Sequence, residues 1–250
     1  MQRPRSSIQR VGLQGPDSPV SSLIIAGFVS SIMAFIPGFT LLSYPFRLLI
    51  TVVHELGHGL AALLTGGSFI NFVIFANGAG LAYTAGGWRW VVIPAGYLGT
   101  ALFAAAFIRL SRSPRLARAT LSIAGVAIIL LSLRYGIPSI FSRFWLNGLF
   151  TVVSGVALGG ACLGVALKTT PGWRVFVLNL IAIQAGLTAF SDVIGLVGIT
   201  TRFFTTPAND AASMAALTGI PAVIWAILWA ALAVALIGWA IWSTWLRRPE

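Results

Sequence analysis

The chain has 250 residues, of which 58% are hydrophobic and only 8% are charged. A soluble domain carries about 25% charged residues, so these charges are too few to cover the surface of an ordinary globular enzyme. The mean hydropathy is +0.93, and long apolar stretches recur along the chain. This composition predicts an integral, multi-pass helical membrane protein.

The charged residues indicate which partners to expect. The net charge is +11, from 16 basic against 5 acidic residues. Most cations stand at the ends of apolar stretches, as in loops beside an anionic membrane, so we expect the lipid bilayer as a partner and no nucleic acid. The single cysteine, Cys162, lies in an apolar stretch, which excludes a disulfide framework and a cysteine zinc site. The oligomeric state is not defined by the sequence.

The chain divides into a polar tail at 1–19 and a single transmembrane domain at 20–246. The first apolar stretch is too long for a signal peptide core and lacks a cleavage site, which favours a retained anchor helix. A short helix is predicted at 209–217, with Asn209 as its N-cap. About seven transmembrane helices are expected, at roughly 20–37, 40–65, 88–110, 116–133, 147–167, 174–200 and 219–246.

The interval 66–87 differs from these helices. Two runs of β-prone residues, SFINFVIF and GLAYT, flank Asn77-Gly78, which is the strongest short signal for a hairpin turn. Because a hairpin exposed to lipid would leave its edge amides unpaired, it must pack against protein or line a wet cavity. We expect a re-entrant β-hairpin, with a surface hairpin outside the bilayer as the alternative. The predicted fold class is thus all-α and polytopic, with this hairpin after the second helix.

Candidate chemistry is concentrated in the sequence His54-Glu55-Leu56-Gly57-His58. On a helix, His54 and His58 stand one turn apart on the same face, so both imidazoles can reach one metal ion, with Glu55 beside it. Zinc in such a site has a third protein ligand and an open position for a water, whose proton Glu55 can accept. The alternative is a chance HExxH match. The chain has only 2 histidines, however, and burying such polar groups in an apolar helix is costly without a partner.

The third ligand can be sought among the acidic residues, since no other histidine exists. Asp17 and Glu250 lie in polar tails, which leaves Asp192 and Asp210. Asp192 lies deep in an apolar stretch, at a level comparable to His54, whereas Asp210 has a structural explanation at the start of a short helix. Asp192 is the preferred ligand and Asp210 the alternative. Asp192 could instead be a neutral, hydrogen-bonded buried carboxyl.

The sequence also resembles a known family. HELGHGLAALLTGG, followed by a Gly-rich hairpin and GGWRWVVIPAGYLGTALFAAA, resembles the site-2 protease family of intramembrane metallopeptidases, in its M50B-like branch. LIAIQAGLTAFSDVIGLV and NDAASMAALTGIPAVIWAILW resemble the same branch, so the resemblance covers about 40–230. The classical members carry a downstream Asp-Gly motif for the third ligand. This chain has none, because Asp192 is followed by Val193 and Asp210 by Ala211.

The resemblance implies a zinc-dependent protease that cuts transmembrane protein substrates within or near the bilayer. It implies His54 and His58 as metal ligands, Glu55 as the catalytic base, and the hairpin with Asn77 and Gly78 as a guide for an extended substrate. Two other functions stay open. One is a catalytically silent membrane scaffold of the same fold, which would not need Glu55. The other is a small metal or proton transporter, although the internal repeats typical of transporters are not found.

Overall fold

The computed structural model describes residues 18–36, 38–200 and 209–246, and over 189–200 only the course of the helix. Helices dominate this part of the chain. Each predicted helical stretch contains helix, and a hairpin of two strands lies where one was expected. The helices are α1 Pro19–Phe35, α2 Thr40–Leu64, α3 Arg89–Val92, α4 Ala95–Leu110, α5 Pro114–Ile140, α6 Trp145–Lys168, α7 Pro171–Thr200, α8 Asp210–Thr218 and α9 Ala222–Ile241, which a π-helical turn extends over Trp242–Leu246.

Four helical segments in the described ranges are long and apolar enough to cross a membrane: Leu41–Leu64, Pro114–Ile140, Trp145–Lys168 and Ala222–Trp245. The helices α1 and α4 are apolar but shorter. The chain is therefore a membrane protein, while the expected count of seven spans is not confirmed. The tail at 1–17 lies outside the described residues.

The predicted helix at 88–110 is wrong in one respect, because the structure divides it into α3 and α4. The break falls at Pro94, whose ring lacks the amide hydrogen that a continuous helix needs. The short helix α8 agrees with prediction at both ends. The Asn209 side chain caps it by accepting from the Ala212 amide at 2.8 Å. Gly219 ends it in the left-handed conformation, with φ of 75°.

The strands β1 (Ser68–Ile74) and β2 (Gly80–Ala85) pair antiparallel. They are joined through Ala76, Asn77 and Gly78. The Phe75 amide donates to the Ala79 carbonyl at 2.9 Å, and Gly78 has φ of 85°, which only glycine adopts readily. The Asn77 side chain accepts from the Ala79 amide at 3.0 Å. The predicted hairpin and its turn residues are thus confirmed.

The hairpin packs against protein, as the sequence required. The strands lie against α2, and β1 also contacts α5 and α6. Phe72 and Ile74 of β1 are fully buried, and their outward-facing backbone groups are satisfied by hydroxyls. Ser139 donates to the Phe72 carbonyl at 2.9 Å, and the Ile74 amide donates to the Thr151 hydroxyl at 2.7 Å. The outer edge of β1 is thereby closed. The depth of the hairpin in the bilayer stays a prediction.

The helices that support the hairpin pack through glycines. A Cβ on Gly125 of α5 would lie 2.7 Å from the Gly159 carbonyl oxygen of α6, and a Cβ on Gly159 would lie 2.6 Å from the Gly125 oxygen. The two backbones are therefore in direct contact, as is common where small residues join membrane helices. The helix α2 also contacts α3, α4 and α7, while α8 and α9 pack on each other.

Candidate metal centre

The two histidines of α2 meet as the helical spacing predicts. Their Nε2 atoms lie 3.1 Å apart, and the rings contact edge to face with centroids 4.8 Å apart. His58 is buried and His54 half-buried. One helix thus presents two nitrogen donors to a single point.

A third donor comes from the start of α8. The Oδ2 atom of Asp210 lies 3.0 Å from Nε2 of His54 and 3.1 Å from Nε2 of His58. The helix α8 is held there by an apolar cluster in which Ala211 and Met214 pack with Trp229 of α9. Because the Asn209 cap orients the first turn, the neighbouring carboxylate projects toward α2.

These three atoms fit a tetrahedral metal. Ligands about 2.0–2.1 Å from a tetrahedral zinc are separated from each other by roughly 3.3 Å, close to the 3.0–3.1 Å observed here. The Nδ1 atom of His58 lies 2.8 Å from the Val92 carbonyl oxygen. Since a carbonyl can only accept, Nδ1 carries the proton, and the Nε2 lone pair is free for a metal.

The space beside the histidines exists because residue 96 is glycine. A Cβ built on Gly96 would lie 2.4 Å from Nε2 of both His54 and His58. Any other residue would occupy the position where the two nitrogens converge. Next to it, the Tyr97 ring contacts the His54 imidazole edge to face at 4.9 Å and stacks on Trp229 at 5.7 Å.

Glu55 is buried beside this triad. Its carboxylate accepts a hydrogen bond from the Ala82 amide of β2 and is close enough to interact electrostatically with both histidines and Asp210. A buried carboxylate next to three converging donors is the arrangement in which a general base acts on a metal's water. The strand β2 therefore borders the site on the side of Glu55.

The carboxyl of Asp210 is ionised in this setting. Burial alone would raise its pKa, but hydrogen bonds from His54 and His58 and their charges outweigh that effect. The pKa of Asp210 therefore lies well below its usual range. An anionic oxygen beside two imidazole nitrogens is a donor set that suits zinc.

The sequence-predicted site residues fall into two groups. His54, His58, Glu55 and Asp210 come together, whereas the side chain of Asp192 lies outside the described residues. Asn77 and Gly78 lie at the hairpin turn, where the Thr51 hydroxyl donates to the Gly78 carbonyl at 2.8 Å, one turn of α2 before Glu55. The sequence reasoning assigned no role to Val92, Gly96 or Gly80. Gly96 belongs to the PAGYLG segment, so its place in that segment was the available signal.

A bundle of apolar helices around a partly buried cluster of two histidines and an aspartate defines a membrane protein with a candidate metal site. The family model described as Peptidase M50B-like matches residues 24–240. The chain therefore belongs to this family, within the site-2 proteases. Searches of curated proteins and of solved structures found no match.

Proposed function

We propose that this protein is an intramembrane zinc metalloprotease that hydrolyses peptide bonds of transmembrane protein substrates. One observation carries the proposal. His54, His58 and Asp210 converge within 3.0–3.1 Å of one another, with the Glu55 carboxylate beside them, in a chain that belongs to a peptidase family. Zinc is the metal that this donor set and an HExxH helix favour.

His54, His58 and Asp210 would hold the metal. The contacts of Asp210 with both histidines support it as the third ligand, while Asp192, preferred from the sequence, lies outside the described side chains. When bound, zinc would lower the pKa of a water and polarise the scissile carbonyl. Glu55 accepts the proton of the attacking water and passes it to the leaving amine. The Val92 carbonyl keeps His58 in the tautomer that offers Nε2 to the metal.

The two outer edges of the hairpin differ in what they face. The outer edge of β1 is closed by Ser139 and Thr151, whereas the outer edge of β2 faces Glu55. A helical substrate hides its carbonyls in its own hydrogen bonds, so it must unwind before cleavage. Strand addition to β2 would hold the unwound segment extended beside the base.

The test is cleavage of a model transmembrane substrate by the purified protein in detergent, wild type beside Glu55→Gln. The amide preserves the shape but cannot accept the proton, so we expect cleavage to fall about 10²–10⁴-fold with zinc content unchanged. The same change at Glu250, the other glutamate in the sequence, is the matched control and should behave as wild type.

Equal cleavage by wild type and Glu55→Gln would remove Glu55 from the mechanism. Zinc binding without cleavage of any transmembrane substrate would instead favour the silent scaffold. Zinc transport into vesicles without cleavage would favour the transporter.

A further inference from the structure

The strand β2 touches the proposed base directly, and its register explains how. The Phe75 amide bonds to the Ala79 carbonyl, so these two residues form a hydrogen-bonded pair. From there, non-hydrogen-bonded and hydrogen-bonded pairs alternate along the ladder. Gly80 and Ala82, opposite Ile74 and Phe72, then direct their backbone groups away from β1. The hydroxyl bonds at Ile74 and Phe72 on the other edge agree with this alternation. The Ala82 amide consequently points at Glu55, whose carboxylate accepts from it.

Gly80 approaches the same carboxylate with no side chain between them. A Cβ on Gly80 would lie 2.3 Å from Oε1 of Glu55 and 2.7 Å from its Cγ. The backbone of Gly80 has no positive φ, so an alanine could adopt its conformation without strain. The requirement for glycine at position 80 therefore comes from the space that Glu55 occupies.

We propose that Gly80 and the Ala82 amide position the Glu55 carboxylate, so that the strand bordering the substrate also sets the catalytic base. This inference rests on the proposed function of Glu55 as base. Gly80 is a positioning residue, because it acts on the reaction through Glu55. The Ala82 amide holds the carboxylate, and the bare Cα of Gly80 leaves room for it.

The hairpin can do this because α2 holds it at several points. The Tyr44 hydroxyl donates to the Ala76 carbonyl at 2.7 Å, and Thr51 donates to the Gly78 carbonyl. Arg47 lies against Gly78, where a Cβ would come within 2.6 Å of its Nε. Because Tyr44, Thr51 and Glu55 belong to one helix, β2 and the base share one rigid support. A strand added to β2 would engage the edge that holds the base.

The first experiment compares Gly80→Ala with wild type on the transmembrane substrate. A misplacement of about 1 Å in a catalytic group can cost on the order of 10²-fold, so we expect kcat to fall about 10- to 100-fold with little change in KM and in zinc content. Gly164→Ala on α6 is the matched control, since a Cβ there meets nothing within 4 Å. It should keep wild-type kinetics.

Second-site variants distinguish misplacement of Glu55 from a general disturbance of the fold in Gly80→Ala. In a Glu55→Asp background the side chain is one methylene shorter, which leaves room for the methyl group of Gly80→Ala. In that background we expect Gly80→Ala to lower kcat by less than about threefold, instead of about 10- to 100-fold. The methyl group of Gly80→Ala would also lie 2.7 Å from Cγ2 of Thr51. Thr51→Ser removes that Cγ2 atom and therefore tests whether this second contact causes the loss. Restoration of Gly80→Ala by Thr51→Ser, with an unreduced cost in the Glu55→Asp background, would overturn the proposal.

The second experiment needs no proteolysis. Hydrogen exchange at the Ala82 amide, measured by NMR on the protein in detergent, should be slow although this amide bonds to no strand of the described sheet. We expect Glu55→Ala to speed it at least tenfold, while the Ile74 amide, bonded to Thr151, stays protected. Unchanged Ala82 exchange in Glu55→Ala would overturn the proposal. Faster exchange in a protein that cleaves nothing would support the contact and refute only the protease function.

Discussion

Gly57 and Ala95 bring the backbones of α2 and α4 into contact beside the candidate metal site. A Cβ on Gly57 would lie 2.6 Å from the Ala95 carbonyl oxygen. Gly57 stands between the two histidines in HELGH, so this close approach of the helices falls at the level of the imidazoles. This approach brings Gly96, the next residue of α4, to the point where the two nitrogens converge.

The first prediction concerns Gly96. In Gly96→Ala the methyl group would lie 2.4 Å from both imidazole Nε2 atoms, so we expect the purified protein to lose most of its zinc. Gly99→Ala, three residues further along the same helix, is the control. There the added methyl makes an ordinary 3.8 Å contact with Gly57, and zinc content should match wild type. Elemental analysis measures both; full zinc in Gly96→Ala would show that the ligands can move aside.

The second prediction concerns the histidines. We expect about one zinc per chain in wild type, because one triad of donor atoms occurs in the described part of the chain. His54→Ala or His58→Ala should lose it, since each removes one of three protein ligands. The folded state is checked by circular dichroism of the same samples. Full zinc content in the double mutant would place the metal elsewhere.

The third prediction compares the two aspartates. Asp210→Asn should release zinc faster than wild type during mild chelation, because a neutral amide replaces the anionic oxygen that lies 3.0 Å from His54. Asp192→Asn should retain zinc as wild type does. The opposite ranking would return the ligand role to Asp192 and leave Asp210 as a hydrogen-bond partner of the histidines.

The fourth prediction concerns the turn. Replacing Asn77-Gly78 with Val-Val forces a β-branched residue into φ of 85° and pushes a side chain into Arg47. We expect unchanged zinc and about tenfold slower cleavage, because the turn lies away from the metal but supports β2. The control is Gly66→Asn, which also stands at positive φ but has open space around it. Loss of zinc together with unfolding would make the turn a structural element only.

Local signals in the sequence predicted much of this structure. Helical spacing predicted the meeting of His54 and His58, Asn77-Gly78 predicted the turn, and Asn209 predicted the start of α8. Each depends on neighbours within a few residues, which a single sequence displays. Pro94 carried a similar signal for the break between α3 and α4, and the apolar pattern around it concealed that break.

Contacts between distant segments could not be predicted in the same way. Asp210 reaches the histidines because α8 packs on α9 and returns to α2, which depends on tertiary packing. Depth along the sequence carries no information about which aspartate tertiary packing brings to the histidines. The same applies to Gly80 and Gly96, whose lack of a side chain matters only because of what another segment places beside them.

The separation between the donors has a consequence for biosynthesis. Asp210 lies 156 residues after His54, so the ribosome has translated α2 through α7 before the third donor exists. A nascent chain that has inserted only its first helices contains the two imidazoles and the glutamate, without the carboxylate that completes the triad. The complete set of three donors therefore forms only after α8 has docked. The order of synthesis thereby places the assembly of the candidate metal site near the end of the chain's insertion.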